Sequence, residues 1–177
     1  MPDTQRTKTA LLALLADNVT GAISEQDMRD ILVSNMGAYG GLRTDTAGNT
    51  DTVPATIGHV DFWGDPAGHY SDDDDSFSVD ATNSRFTAAF AMRAEVHVTG
   101  SFALATTGNV FTFRVYRNGV DSGIACGDVA DSSGFFNVNM SGILDCAASD
   151  VIEVRALAVT GESVTANYGN FWIKRID

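Results

Sequence analysis

From about Arg85 to Asp177 the chain alternates apolar and polar residues with a period of two, the signature of half-buried β-strands. The pattern predicts strands over 77–81, 85–91, 94–105, 110–117, 120–128, 135–144, 150–159 and 164–176, with a weaker β-signal near Val60, Asp61, Phe62 and Trp63. Eight strands suit two stacked four-stranded sheets. In the clearest hairpin, Phe111, Phe113 and Val115 alternate with Thr112, Arg114 and Tyr116 before an Asn118-Gly119 dipeptide, the residue pair of a type I′ turn. Ile152, Val154, Ala156 and Ala158 read as inward-facing, with Glu153 and Arg155 outward. Two segments break the alternation: around Phe102 and Leu104, and around Phe171, Trp172 and Ile173, both strand faces are apolar or small. Strands covered on both sides read this way. In a two-layer sandwich the second cover must come from another chain, so Phe102, Leu104, Phe171 and Ile173 are the expected contacts of a homo-oligomer.

The first 37 residues carry a different period. Thr7 can cap a helix over 8–16, and Ser24, with Asp27 in the first turn and Ile23 placed to staple against Met28, begins a second helix that Gly37 ends. Leu11 and Leu15 on the first helix and Ile31 and Leu32 on the second form apolar stripes too wide for two short helices to cover mutually. They are expected to dock on a partner. Between 38 and 58 the composition turns to Gly, Thr, Asp and Asn, which is linker chemistry. The expected organisation is therefore a helical anchor over 1–37, a linker over 38–58 and a β-domain over 59–177.

Charge and composition narrow the partners. Eleven Lys and Arg against 23 Asp and Glu give a net charge of −12, which repels nucleic acid and anionic lipid surfaces alike. The longest apolar run, Ala10 to Ala16, is too short to span a membrane or to serve as a secretory signal. Cys126 and Cys146 are expected as reduced, mostly buried thiols.

No constellation for catalysis stands out, and the chain reads as a non-enzyme. His97 alternates with Val96 and Val98 and should face away from them, toward solvent or an interface. His59 and Asp61, with His69, have ligand chemistry for a metal but no shared element to fix them. The run Asp72, Asp73, Asp74, Asp75 reads as a solvated acidic loop; its alternative is a Ca2+ site, although the spaced Asp pattern of a calcium loop is missing. No other cofactor is indicated. Phe62, Trp63, Tyr70, Phe135 and Phe136 are candidates for a sugar-binding platform, or else core and subunit contacts.

The segment from Leu11 to Asp30 resembles the short helical leader of many tailed-bacteriophage virion proteins. The segments from Phe111 to Gly119, Val151 to Arg155 and Phe171 to Ile176 are similar to tumour-necrosis-factor/C1q-like jelly rolls, whose domains form tight three-fold trimers. Together these resemblances cover most of the chain. They imply a homotrimeric jelly roll on a virion surface, made in the host cytoplasm: a capsid decoration or head-fibre protein whose helices hold the major capsid protein. A short tail-fibre module that binds a receptor or glycan is the alternative; the small size of the chain favours the compact decoration.

Overall fold

The computed structural model describes Met28 and residues 39–44, 49–63, 76–104 and 108–176. Met28 is half exposed. The expected helices with Leu11, Leu15, Ile31 and Leu32, together with His69, Tyr70 and Asp72 to Asp75, lie outside the described residues.

Among the described residues eleven strands form two antiparallel sheets: β1 Tyr39–Thr44, β2 Asn49–Val53, β3 Gly58–His59, β4 Phe77–Asp80, β5 Arg85–Ala88, β6 Met92–Leu104, β7 Val110–Arg117, β8 Val120–Val129, β9 Phe135–Cys146, β10 Val151–Ala158 and β11 Glu162–Arg175. The first sheet runs β1-β11-β6-β9, with β2 beside the far half of β11. The second runs β4-β5-β10-β7-β8, with β3 beside β10. The eight strands from β4 onward sit where the alternation places them, because alternation is the direct imprint of one buried and one solvated face. In β6 the even-numbered residues Ala94, Val96, Val98 and Phe102 are fully buried while the odd-numbered ones face out.

The stretch expected as a linker is not one. β1 pairs with β11 along its whole length, from Tyr39 opposite Lys174 to Thr44 opposite Gly169, and β2 follows on the same edge from Asn49 opposite Ala166 to Val53 opposite Glu162. Leu42 and Val53 are both at most 1% exposed. Glycine and threonine made this segment look loose, but Gly40 permits close packing here: a Cβ added to it would lie 2.9 Å from the Phe86 ring.

The core is held by aromatic rings from both sheets. Phe102 lies 5.4 Å from Phe113 and 5.1 Å from Phe136, and Phe111 stacks on Phe136 at 4.2 Å, so rings of β6 and β9 interleave with those of β7. Phe62 and Trp63, which follow β3, enter between the sheets; Phe62 is 4.9 Å from Phe102 and Trp63 is 5.9 Å from Phe171. The inward row where Trp63 lies contains two paired glycines, Gly169 and Gly100. A Cβ on Gly169 would stand 2.8 Å from the Trp63 Nε1, so only glycine leaves room for the indole, which donates to the Thr99 carbonyl at 3.2 Å. The Thr44 hydroxyl donates to the Phe62 carbonyl, tying this insertion to β1.

At one end two turns lock together. Asn118 and Gly119 have φ of 50° and 74°, the double left-handed conformation of the type I′ hairpin the dipeptide predicts. The Asn118 side chain donates to Asp150 at 2.6 Å and accepts from the Val151 N–H at 2.8 Å. The Asp150 carboxylate also accepts from the Ala147 N–H at 2.8 Å. That backbone donor, with lesser help from Asn118 and Arg117 and against the opposing effect of burial, holds the Asp150 carboxyl below its ordinary value.

Three substitutions check this description. Leu42→Ala should cost about 2–5 kcal/mol in urea denaturation, the range for a buried leucine; a linker residue would cost almost nothing. Asn118→Ala should cost about 1–3 kcal/mol by leaving Asp150 and Val151 short of partners. Because the Asp150 carboxyl is depressed in the folded state, its stabilisation is present above the ordinary value of 3.8 and is lost as the pH falls through the lowered one. Asp150→Asn should therefore flatten the acid limb of the stability profile while lowering stability near neutrality.

Candidate assembly interface

The outward face of the first sheet is built by the odd-numbered residues of β6 and their cross-strand partners. One row runs Gly41, Trp172, His97, Ser141, and its neighbour runs Arg43, Asn170, Thr99, Asn139. Lys174, Glu95 and Ile143 form the row below; Tyr168, Ser101 and Asn137, then Thr165, Ala103 and Phe135, form the rows above. This floor, mostly serine, threonine and asparagine but charged at Arg43, Glu95 and Lys174, carries three large apolar side chains: Phe135 is 46% exposed, Ile143 54% and Tyr168 62%. At its centre the His97 ring stacks on the Trp172 indole at 4.0 Å and 8°, and His97 Nε2 lies 3.0 Å from the Glu95 carboxylate. His97 thus faces away from Val96 and Val98, as its alternation predicts.

The residues expected to make the subunit contact are elsewhere. Phe102, Phe171 and Ile173 are fully buried inside the single chain, and Leu104 is half-buried against the same core. Fully buried side chains have no surface to give a second chain. The mistake lies in register: Phe102 and Leu104 are two apart, as are Phe171 and Ile173, so each pair points to one face, the inner one. What faces outward between them is Ala103 and Trp172.

The outward face of the second sheet has a different chemistry. Glu153 points away from the core as expected, yet it is only 4% exposed, because Arg85 Nε and Arg155 Nη2 each approach its carboxylate to 2.7 Å. The Arg155 guanidinium lies 4.6 Å above the Tyr116 ring, and His59 stands 3.1 Å from Asp61 and 3.9 Å from Glu153. Burial pushes the Asp61 carboxyl above its ordinary value, with attraction to His59 opposing and repulsion from Asp51 adding. Among the described residues no three His, Cys, Asp or Glu side chains converge as a metal site. His59 and Asp61 do meet, but as members of this ion-paired network. The sugar platform is not assembled either: Phe62, Trp63 and Phe136 are core residues, and only Phe135 of the described candidates reaches the surface. Cys126 and Cys146 are not joined to each other; the second is buried and the first half-buried. The arrangement of Tyr168, Phe135 and Ile143 escaped the sequence because they sit on three strands, and only the cross-strand register brings them onto one face.

No family model matches the chain, and no curated protein is significantly similar to it. Solved structures are. The globular domain of zebrafish complement 1qA protein superposes with a TM-score of 0.50 at 14% identity, covering 76% of this chain and 94% of the other. The PRD1 vertex protein P5 superposes with a TM-score of 0.53 at 14% identity, covering 78% of this chain and 96% of the other. Eiger TNF from S. frugiperda follows at a TM-score of 0.49 and 11% identity, over 78% and 93%. At such identities the likeness concerns the backbone alone, and the first two matches carry it: the described chain has the jelly-roll fold of C1q-like domains.

Proposed function

We propose that this chain is a non-enzymatic structural protein of a phage virion, a homotrimer on the capsid surface whose first 37 residues fix it to the major capsid protein. The observation that supports assembly most directly is the contrast between the two outward faces. The first sheet presents Phe135, Ile143 and Tyr168, whose burial is favourable, among serine, threonine and asparagine side chains that can pair across a subunit interface, with Arg43, Glu95 and Lys174 as its charged members. The second presents paired charges, whose desolvation is expensive. Trimers therefore form through the first sheet and keep the second in solvent. A three-fold ring also closes, leaving no apolar face to propagate into fibres. The virion reading rests on the helical leader read from the sequence and on the likeness of the fold to that of the PRD1 vertex protein P5.

The strand order adds a polarity. β1 begins at Tyr39 opposite Lys174, at the end of β11 nearest the C-terminus, while β2 ends at Val53 opposite Glu162, at the other end. Twelve residue steps of β11 separate these ends, roughly 40 Å at strand rise. An anchor joined to Tyr39 thus leaves from one end of the body and presents the opposite end outward.

Light scattering coupled to size exclusion should report a trimer, and a monomer at micromolar concentration would end the proposal. Tyr168→Glu and Phe135→Glu should each weaken the trimer by about 2 kcal/mol or more without changing the melting profile of the monomer, since both side chains are solvent-facing in the single chain. Deleting residues 1–37, which spares all of β1, should leave the trimer intact and abolish binding to particles. Electron microscopy of whole particles should show added density on the capsid; density confined to the tail would select the tail-fibre alternative.

A further inference from the structure

The ion pairs of the second sheet's outward face thin out toward one end. Toward the end of β10 the partners become Leu157 opposite Thr112, and the segment between β2 and β3 folds over them. A shallow cavity of about 440 Å³, broadly open to solvent, lies here, lined by Thr56, Ile57, Thr112, Arg114, Tyr116 and Leu157. Pockets that hold small molecules occupy roughly 300–1,000 Å³, so the space suits one or two sugar rings. We propose that this cavity is a binding site for an uncharged saccharide.

The lining selects that chemistry by elimination and by match. Arg114 is paired with Asp121, and Arg155, over the Tyr116 ring, is paired with Glu153, so the nearby guanidiniums are already neutralised and a protein of net charge −12 gives an anionic ligand no further attraction. A hydrocarbon occupant would strip water from the Thr56 and Thr112 hydroxyls and from the Arg114–Asp121 pair and replace none of their hydrogen bonds. A folded protein needs about 1,000 Å² of contact, which a concave site of this size does not offer. A pyranose ring presents both surfaces that the lining asks for. Its C–H faces fit Ile57 and Leu157, beside a Tyr116 ring already covered by Arg155, and its hydroxyls can bridge the threonines and the planar Arg–Asp pair. The site lies at the end of the body away from Tyr39 and on the sheet left in solvent by the proposed trimer. It requires neither the trimer nor the virion, so it stands or falls separately from the reading above.

The test is amide chemical-shift mapping on the full chain with maltose, lactose, chitobiose and methyl rhamnoside, and with hexanol as a hydrocarbon control. At least one sugar should give saturable shifts at Thr56, Ile57, Thr112, Arg114 and Leu157 with a millimolar Kd. Arg114→Ala, at a half-exposed position, should weaken that binding by about tenfold, the effect of one lost hydrogen bond to a charged group. Thr56→Trp, on the exposed β2–β3 segment, should fill the mouth and abolish it while melting temperature and oligomeric state stay unchanged. The proposal is overturned if no sugar saturates, if the shifts map to another face, if hexanol alone saturates the site, or if both variants bind as the wild type does.

Discussion

Everything in this molecule depends on aromatic rings meeting across the gap between two sheets. Phe102, Phe136 and Phe171 project from one sheet, Phe86, Phe111 and Phe113 from the other, and their centroids lie 4.2–5.4 Å apart in the closest cross-sheet pairs. Rings this large leave gaps that neither sheet fills alone. Phe62 and Trp63 close one of them, and the paired glycines Gly100 and Gly169 supply the socket. The segment from Asn49 to Trp63 is therefore a core component, although most of it runs along the edges of the sandwich. It pairs with one sheet through β2, with the other through β3, and then places two rings in the middle.

The same sandwich resolves its two outer surfaces differently. On one, mostly serine, threonine and asparagine, a stacked His97–Trp172 pair and a few charges surround exposed apolar side chains. On the other, a buried glutamate is clasped by two arginines and backed by His59. Electrostatic pairing of this kind fixes geometry more than it adds net stability, since desolvation offsets much of the attraction. It holds β3 and β5 in place along one edge of β10, and with them the rim of the cavity beneath the β2–β3 segment. The proposed subunit contact and the proposed ligand site thus lie on opposite faces and do not compete for surface.

The eight strands from β4 onward were legible in the sequence because a half-buried strand writes its environment into alternate residues, as in the run from Val110 to Arg117. β1, β2 and β3 were not. In Tyr39–Thr44 and Asn49–Val53 the inward positions are held by Gly40, Leu42, Thr44 and Val53, so each strand offers few apolar residues to count, and the glycine needed for close approach to Phe86 imitates a linker. The outward face was illegible for another reason. An apolar residue at Phe102 or Phe171 does not say which sheet face it occupies until the register is known, and Tyr168 is displaced by a bulge after Ala166. The cavity joins residues 56–57, 112–116 and 157, which no single sequence pattern relates.

The way β1 enters the sheet has a mechanical side. Its six residues run alongside β11 from the end where the preceding chain arrives, and their hydrogen bonds lie perpendicular to the strand. A pull applied ahead of Tyr39 and along the strand axis loads those bonds together, in shear, instead of peeling them away one by one. The force then passes into β11, the central strand that also pairs with β6, and spreads across the sheet. A body joined to a support at this point resists being torn off to a degree that its equilibrium stability alone does not convey.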